Sequence, residues 1–261
     1  MIDEVSVSGH RQIGSEFSDN EFDEAYPPGY ERHYWHRARA AIVKSYVHTY
    51  CGLSDTLLEI GAGRGHYVTV LRKAGFEAYG CDLGDPSVRE DEARPFVFPN
   101  TDFADLDKDL HDRVTTVLLL DVLEHIEQPS TFIEAIFRAF PALRLLIITV
   151  PARQELWSNY DEHYRHYLRY DASELRKLAL RSCLSIKSYS YFFHALYVAA
   201  LLLKKLGMKR DTALGAPKAA WLHTLLGIAF WVESRLLPKD FYGTSLICAC
   251  AKDLHAPHRP E

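Results

Sequence analysis

Three groups of residues in this chain have the types and spacing that chemistry requires. Glu59 is followed by Gly61, Ala62, Gly63 and Gly65, and Asp82 stands about twenty residues on. Glycines in such a turn let the backbone take left-handed angles and come close to a ligand, while the helix that follows offers its N-terminus. An acid at the end of the next strand can accept hydrogen bonds from a ribose, which points to a nucleotide-like ligand. The spacing is GxGxG, not the GxGxxG of dinucleotide sites. The second group is WSNYDEHYRHYLRY, residues 157–170, which holds His163 and His166 among acids, arginines and tyrosines. Either imidazole could take a proton from a hydroxyl near neutral pH; alternatively His166, Arg169 and Tyr170 bond to backbone or Asp161 and hold the loop, leaving catalysis to proximity. Arg165 suits an acidic group on a substrate, and Tyr160 stands beside it in the same candidate substrate-binding set. The third group, Asp121, Glu124 and His125, closes an apolar run; an acid next to a histidine invites a general-base reading, with loop geometry as the preferred one.

The elements that must position these residues are legible as periodicity. Thr56–Ile60 reads as a short buried strand and Tyr67–Lys73 as a helix, with a second strand over Phe76–Cys81. Asp82, Leu83 and Gly84 then begin a turn, and the segment 85–94 suits a short charged helix. Phe96–Phe98 is the third strand, and Val114–Leu120 is apolar throughout, as in the middle of a parallel sheet. Thr131–Phe140 has a helical apolar face, Leu143–Val150 is the fifth strand, and Asp171 with Glu174 forms a capping-box-like helix start. Cys183–Tyr191 and Gly243–Ala251 complete the strands. Upstream, residues 1–31 read as a flexible arm or lid, and a helix runs from Glu31 toward Gly52.

Glu59–Gly65 with Asp82, followed by LLLDVLEHIEQP at 118–129, resembles the class I S-adenosylmethionine-dependent methyltransferases. The match covers about residues 55–150. It implies an α/β fold: a Rossmann-like seven-stranded sheet with an N-terminal helical lid and a helical insertion between the last two strands, the final strand antiparallel. It implies S-adenosyl-L-methionine as cofactor, with Glu59, Gly61, Ala62, Gly63 and Gly65 at the methionine part and Asp82 with Leu83 at the ribose. Asp102 and Phe103 would meet the adenine, although Asp102 could instead cap a turn; Asp121 and Val122 would lie at the cofactor edge. The stretch His33, Tyr34, Trp35 and Arg39 resembles an aromatic–basic segment that precedes the core in such enzymes, which makes Tyr34 and Arg39 candidate substrate contacts. The D-E-H…H…R-Y order in 161–170 is similar to the ubiquinone-pathway O-methyltransferases and their relatives. The expected reaction is methyl transfer to a small-molecule or lipid-like acceptor, most naturally an oxygen; an N-methyltransferase or a non-catalytic binding module is the alternative.

Composition narrows the rest. The 261 residues allow one large domain, read as 1–52 arm and lid, 53–191 core, 192–240 insertion or cap, 241–253 last strand and 254–261 disordered tail. A net charge of −5 and the lack of a basic tract argue against a nucleic-acid partner. Five scattered cysteines read as free thiols in a reducing cytoplasm, and no cluster with metal-site spacing accompanies them, so no metal is expected. The polar N-terminus lacks a signal-peptide core. The apolar runs within 192–237 are each too short for a normal membrane span, leaving a cap, a homodimer surface or a peripheral membrane contact.

Overall fold

Seven strands account for the apolar runs in the computed structural model, which describes residues 19–85, 91–211 and 219–253. They are β1 (Thr56–Ile60), β2 (Glu77–Cys81), β3 (Val97–Phe98), β4 (Val114–Leu120), β5 (Leu145–Pro151), β6 (Leu184–Phe192) and β7 (Ser245–Lys252). They form one sheet in the order β3-β2-β1-β4-β5-β7-β6. The first five pair in parallel, and β7 runs antiparallel between β5 and β6. Side chains alternate across a strand, so neighbouring residues feed opposite cores. Leu58, Leu119 and Ile148 enter one core, while Leu57, Leu118 and Ile147 enter the other. Each fully buried leucine contributes roughly 1.5–3 kcal/mol, which is why the central strands carry no polar alternation.

The helices cover both faces. In chain order they are α1 (Asp19–Ala25), α2 (Tyr34–Tyr50), α3 (His66–Lys73), α4 (Lys108–Arg113), α5 (Pro129–Ala139), α6 (Asn159–His163), α7 (Ala172–Arg181), α8 (His194–Lys205) and α9 (Ala220–Leu236). Ile133 and Ile136 of α5 pack with Leu175 and Leu178 of α7 on one side. Val43 and Val47 of α2 pack with Leu71 of α3 on the other. Asp171 caps α7 as expected, accepting from Ser173 N and Glu174 N at 2.7 and 2.9 Å. Because the chain leaves β1 toward β2 and returns to β4 beside it, the ends of β1 and β4 form a switch point where ligands bind in such sheets.

Several boundaries differ from the sequence reading. The helix expected from Glu31 begins at Tyr34, because His33 takes the Trp35 N–H on its side chain and Tyr30–Arg32 forms a separate 3-10 turn. The described part of the arm is not loose. It contains α1, whose Phe22 is 4% exposed and lies where a side chain on Gly84 would have to go. Residues 1–18 and the tail 254–261 lie outside the described residues, as do 86–90 of the expected short helix. Residues 91–93 form a turn that leads into the 3-10 segment Arg94–Phe96. The cysteines that the structure describes are free thiols.

Candidate active site

The glycine turn leaves β1 with Gly61, Gly63 and Gly65 all at positive φ, 77, 50 and 81°. A side chain at Gly61 would stand 2.9 Å from Val122 Cγ2, and one at Gly65 would stand 2.8 Å from Ala93 Cβ. Packing therefore excludes any larger residue at either end of the turn. Gly61 N and Ala62 N both donate to Cys81 O, at 2.9 and 3.0 Å. Asp82 closes the arrangement: Oδ2 accepts from Gly63 N at 2.7 Å and Oδ1 from Gly84 N at 2.9 Å. Turn, strand end and carboxylate are thus one rigid unit, with Leu83 exposed beside it.

Arg39 reaches this region from α2 with only 4% of its surface exposed. Its guanidinium donates to Tyr67 Oη at 2.6 Å and to Thr149 Oγ1 at 2.5 Å, and pairs with Asp121 Oδ2 at 2.9 Å. Thr149 Oγ1 donates in turn to Asp121 Oδ1 at 3.0 Å. Burial opposes the charge on Arg39, but the Asp121 carboxylate and the Tyr67 hydroxyl outweigh it and raise its pKa. The arginine expected as a substrate contact therefore sits in the structure as a pin from the lid helix to the ends of β4 and β5.

The arm folds over the turn from above. The Tyr26 ring lies about 3.5 Å from the place a Gly63 side chain would take. Arg64 holds the arm down, donating to Tyr26 O and pairing with Asp23 at 2.6 Å. Beneath lies a small polar pocket lined by Tyr26, His36, Arg39, Glu59, Tyr67 and Leu120. Both ring nitrogens of His36 are buried without a hydrogen-bond partner, and burial pushes its pKa well down, so the ring is neutral. Burial likewise raises the Tyr26 and Tyr67 phenols. Unpartnered buried nitrogens facing a pocket are a place for the polar end of a ligand. Together with a cradle of three left-handed glycines and a carboxylate at the end of β2, they fit an amino-acid nucleotide such as S-adenosylmethionine.

The histidine loop is organised by Asp161, which is fully buried. It closes a capping box on α6 with Ser158 and accepts from His166 Nδ1 at 2.9 Å and Arg169 Nε at 2.7 Å. Burial would raise its pKa, yet the hydrogen bond from His166 and the charge of Arg169 bring it down to about 2. Nδ1 of His166 is thereby the donor, and Nε2 is the nitrogen left for chemistry. The loop is stitched to the segment leaving β4, since Tyr167 N donates to Glu124 O at 2.7 Å and the His166 and His125 rings stand 4.8 Å apart. Glu124 is 1% exposed with Oε2 unpartnered; burial and the nearby Asp121 charge raise its pKa well above the usual range.

No metal cluster is expected from the sequence, yet the fold brings three ligand-type side chains together at this corner. Glu124, His125 and His166 each bring a ligand atom within 4.8 Å of the others. Asp161 backs His166 in the way carboxylates orient metal-binding imidazoles; a divalent cation held by the three would occupy Nε2 of His166 and so is an alternative to that nitrogen serving as a base.

Of the remaining candidates, Tyr160 borders this corner, its ring 6.2 Å from that of His166, and the others have different partners. His163 Nε2 contacts Glu24 Oε2 at 3.1 Å, linking the loop to α1 rather than to the glycine turn. Arg165 is exposed at a φ of 56°. Tyr160 carries Arg210 over its ring at 4.6 Å, and burial pushes its phenol up to about 12. Tyr34 donates its N–H to His223 Nδ1 and stacks on Phe230, so it faces α9. Asp102 caps the turn Phe103–Asp105 by accepting from Ala104 N at 2.9 Å, and Phe103 packs on Phe132. Sequence reasoning missed Tyr26, His36, Arg64, Tyr67 and Thr149. The aromatic residue directly before Pro27-Pro28 and the arginine inside the glycine turn were the signals available.

Comparison with known proteins agrees with this geometry. A family described as “Methyltransferase domain” matches residues 31–186, about three-fifths of the chain. No curated protein matches it. Similar solved structures include the 1,6-didemethyltoxoflavin-N1-methyltransferase of Burkholderia thailandensis, at 17% identity and TM-score 0.52, covering 90% of this chain and 86% of that one. The geranyl diphosphate C-methyltransferase of Streptomyces coelicolor A3(2) is 14% identical with TM-score 0.50, covering 82% and 75%. The glycine turn, the clamped Asp82 and the family match lead to one conclusion: the chain belongs to the methyltransferase-domain family and is a class I S-adenosylmethionine-dependent methyltransferase.

Proposed function

We propose that the enzyme methylates an oxygen of a lipid-like small molecule, with His166 as the base. The observation that carries this reading is the buried Asp161–His166 pair, whose Nδ1 bond leaves Nε2 to accept a hydroxyl proton. Asp161, ionised down to about pH 2, would stabilise the imidazolium that results, and Arg169 keeps that carboxylate in place. His163 pairs with Glu24 of α1, but that contact is open to solvent and its carboxylate is not held as Asp161 is. The likeness of Asp161, His166, Arg169 and Tyr170 to the ubiquinone-pathway branch favours oxygen as acceptor, and the apolar helices α8 and α9 beside Tyr160 and Tyr34 favour a greasy one.

S-adenosylmethionine supplies, when bound, a sulfonium methyl group that an in-line nucleophile displaces. The chain's own part is positioning. Glu59 and the glycine turn would take the methionine portion, Asp82 the ribose hydroxyls, and Asp102 with Phe103 the adenine. Tyr26 and the Arg64–Asp23 pair cover the turn and exclude water from it. The test is incubation with methyl-labelled cofactor and an organic-soluble metabolite extract, followed by mass spectrometry. A labelled methyl ether or ester is the expected product. Label only on nitrogen or carbon, or only in water-soluble products, would refute the reading.

A further inference from the structure

The insertion turns its apolar side outward. Along α9, Trp221, Leu225, Ile228, Val232 and Leu236 recur at helical spacing and are exposed by 37–77%. The face turned to the protein holds Gly227 against Arg37, with His223 and Phe230 against Tyr34. On α8 and the turn after it, Val198, Leu202, Leu206 and Met208 are exposed in the same way. Each helix buries one residue only, His194 and Gly227. This is the reverse of a helix that faces water, whose apolar stripe is turned to the core. A run of large exposed apolar side chains marks a surface that meets something other than solvent.

The charges around that surface select the partner. Lys205 and Lys209, both exposed, follow the apolar stripe of α8; Arg210 beyond them is laid over the Tyr160 ring, and Arg235 and Lys239 end the stripe of α9 while donating to Ser45 and Ser188. Of the acids nearby, Glu233 accepts from His194 N and Ala195 N at the start of α8, Asp240 accepts from the Tyr189 hydroxyl and Glu155 from the Tyr197 hydroxyl, while Asp211 stands exposed beside Arg210. A chain with net charge −5 thus borders its most apolar face with cations. Two copies meeting through this face would bring like charges together, whereas anionic head groups would complement them. Neither helix spans a bilayer: α9 has 17 residues, about 25 Å, and no described helix is long and apolar enough to cross a membrane. A helix with an apolar outer stripe, interfacial tryptophan and basic ends lies in the membrane surface.

We infer that the outer face of α8 and α9 docks the enzyme on an anionic lipid bilayer. The docked face adjoins the histidine loop, because Asn159 exchanges hydrogen bonds of 2.9 Å with the backbone of Arg210, whose guanidinium covers Tyr160. A lipid-like acceptor would then enter from the bilayer. The docking itself goes beyond the acceptor reading and does not depend on it.

Flotation with phosphatidylcholine vesicles, with and without phosphatidylglycerol, tests the inference on the full chain. Binding is expected to the anionic vesicles at low salt and to fall as salt rises, with Trp221 emission shifted to the blue and quenched by brominated lipid; Trp221→Phe identifies its share. Leu202→Glu with Leu225→Glu should abolish flotation while cofactor affinity by calorimetry is kept, which shows the variant is folded. Lys205→Ala and Lys209→Ala, which leave the apolar stripes intact, should each weaken binding about fivefold. No flotation at low salt would overturn the inference. So would binding undiminished by the glutamates, or a homodimer that the same glutamates split. Vesicle binding needs no acceptor, so flotation without a methylated lipid-soluble product would refute the acceptor reading alone.

Discussion

Around the glycine turn, Asp82 is bonded to Gly63 and Gly84 while Arg39, Asp121 and Thr149 are tied to one another, whereas α8 and α9 leave large apolar side chains in solvent and meet the core through few side chains, Leu196, Phe230 and Trp231 among them. The first arrangement is a rigid receptor whose groups are positioned before any ligand arrives. The second is a surface whose partner is not part of the chain. On the proposed reading, donor recognition and acceptor delivery would be built in different regions of the molecule and would meet at the loop that carries His166.

The largest separation should come from the two histidines of that loop. With the acceptor identified by labelling, His166→Ala is expected to lower kcat by about 10²–10⁴. His163→Ala, which removes a half-exposed contact with Glu24, should leave kcat within about twofold. The reverse ranking in steady-state kinetics would move the base to His163. On the donor side, Arg39→Ala removes the partner of the half-buried Asp121 and of the Tyr67 and Thr149 hydroxyls, and should cost about 1–3 kcal/mol in denaturant unfolding. A loss of substrate affinity without a loss of stability would instead make Arg39 a substrate contact.

A smaller effect is set by pH. The carboxyl of Asp161 lies near 2 in the folded protein, below its value of 3.8 when free. Its ionised form therefore contributes stability above pH ~4 that disappears as the pH falls toward 2, about 2 kcal/mol at most. Asp161→Asn should flatten that part of the stability–pH curve while lowering the plateau. An unchanged acid limb would show that His166 and Arg169 do not hold the carboxylate in solution.

The donor half is the more legible in sequence because its signals are local. Gly61, Gly63 and Gly65 announce positive φ, and the unbroken apolar run of β4 announces a sheet covered on both faces. The limits of legibility are equally physical. Arg39 meets Thr149 across 110 residues, and nothing in the helix around it distinguishes an arginine aimed at a substrate from one aimed at Asp121. The sequence offers Asp161 as the partner of His166 and Arg169, which the structure bears out, but not that the carboxylate is fully buried. The helices of the insertion are apolar on nearly every side, so periodicity could not tell which side faces out; the contacts of Gly227 with Arg37 and of His223 and Phe230 with Tyr34 decide it for α9. The polar composition of the arm suggests a flexible lid, yet Phe22 and Tyr26 anchor it on Gly84 and Gly63.

The division between donor and acceptor regions is tested most directly by calorimetric titration of S-adenosylmethionine into three proteins, with no acceptor required. Wild type and His166→Ala should bind one equivalent with affinities within about twofold of each other. Asp82→Ala, checked for folding by circular dichroism, should lose ~10–100-fold through the missing charged hydrogen bonds. If His166→Ala weakens binding as much as Asp82→Ala does, the histidine belongs to the donor site and the account is contradicted.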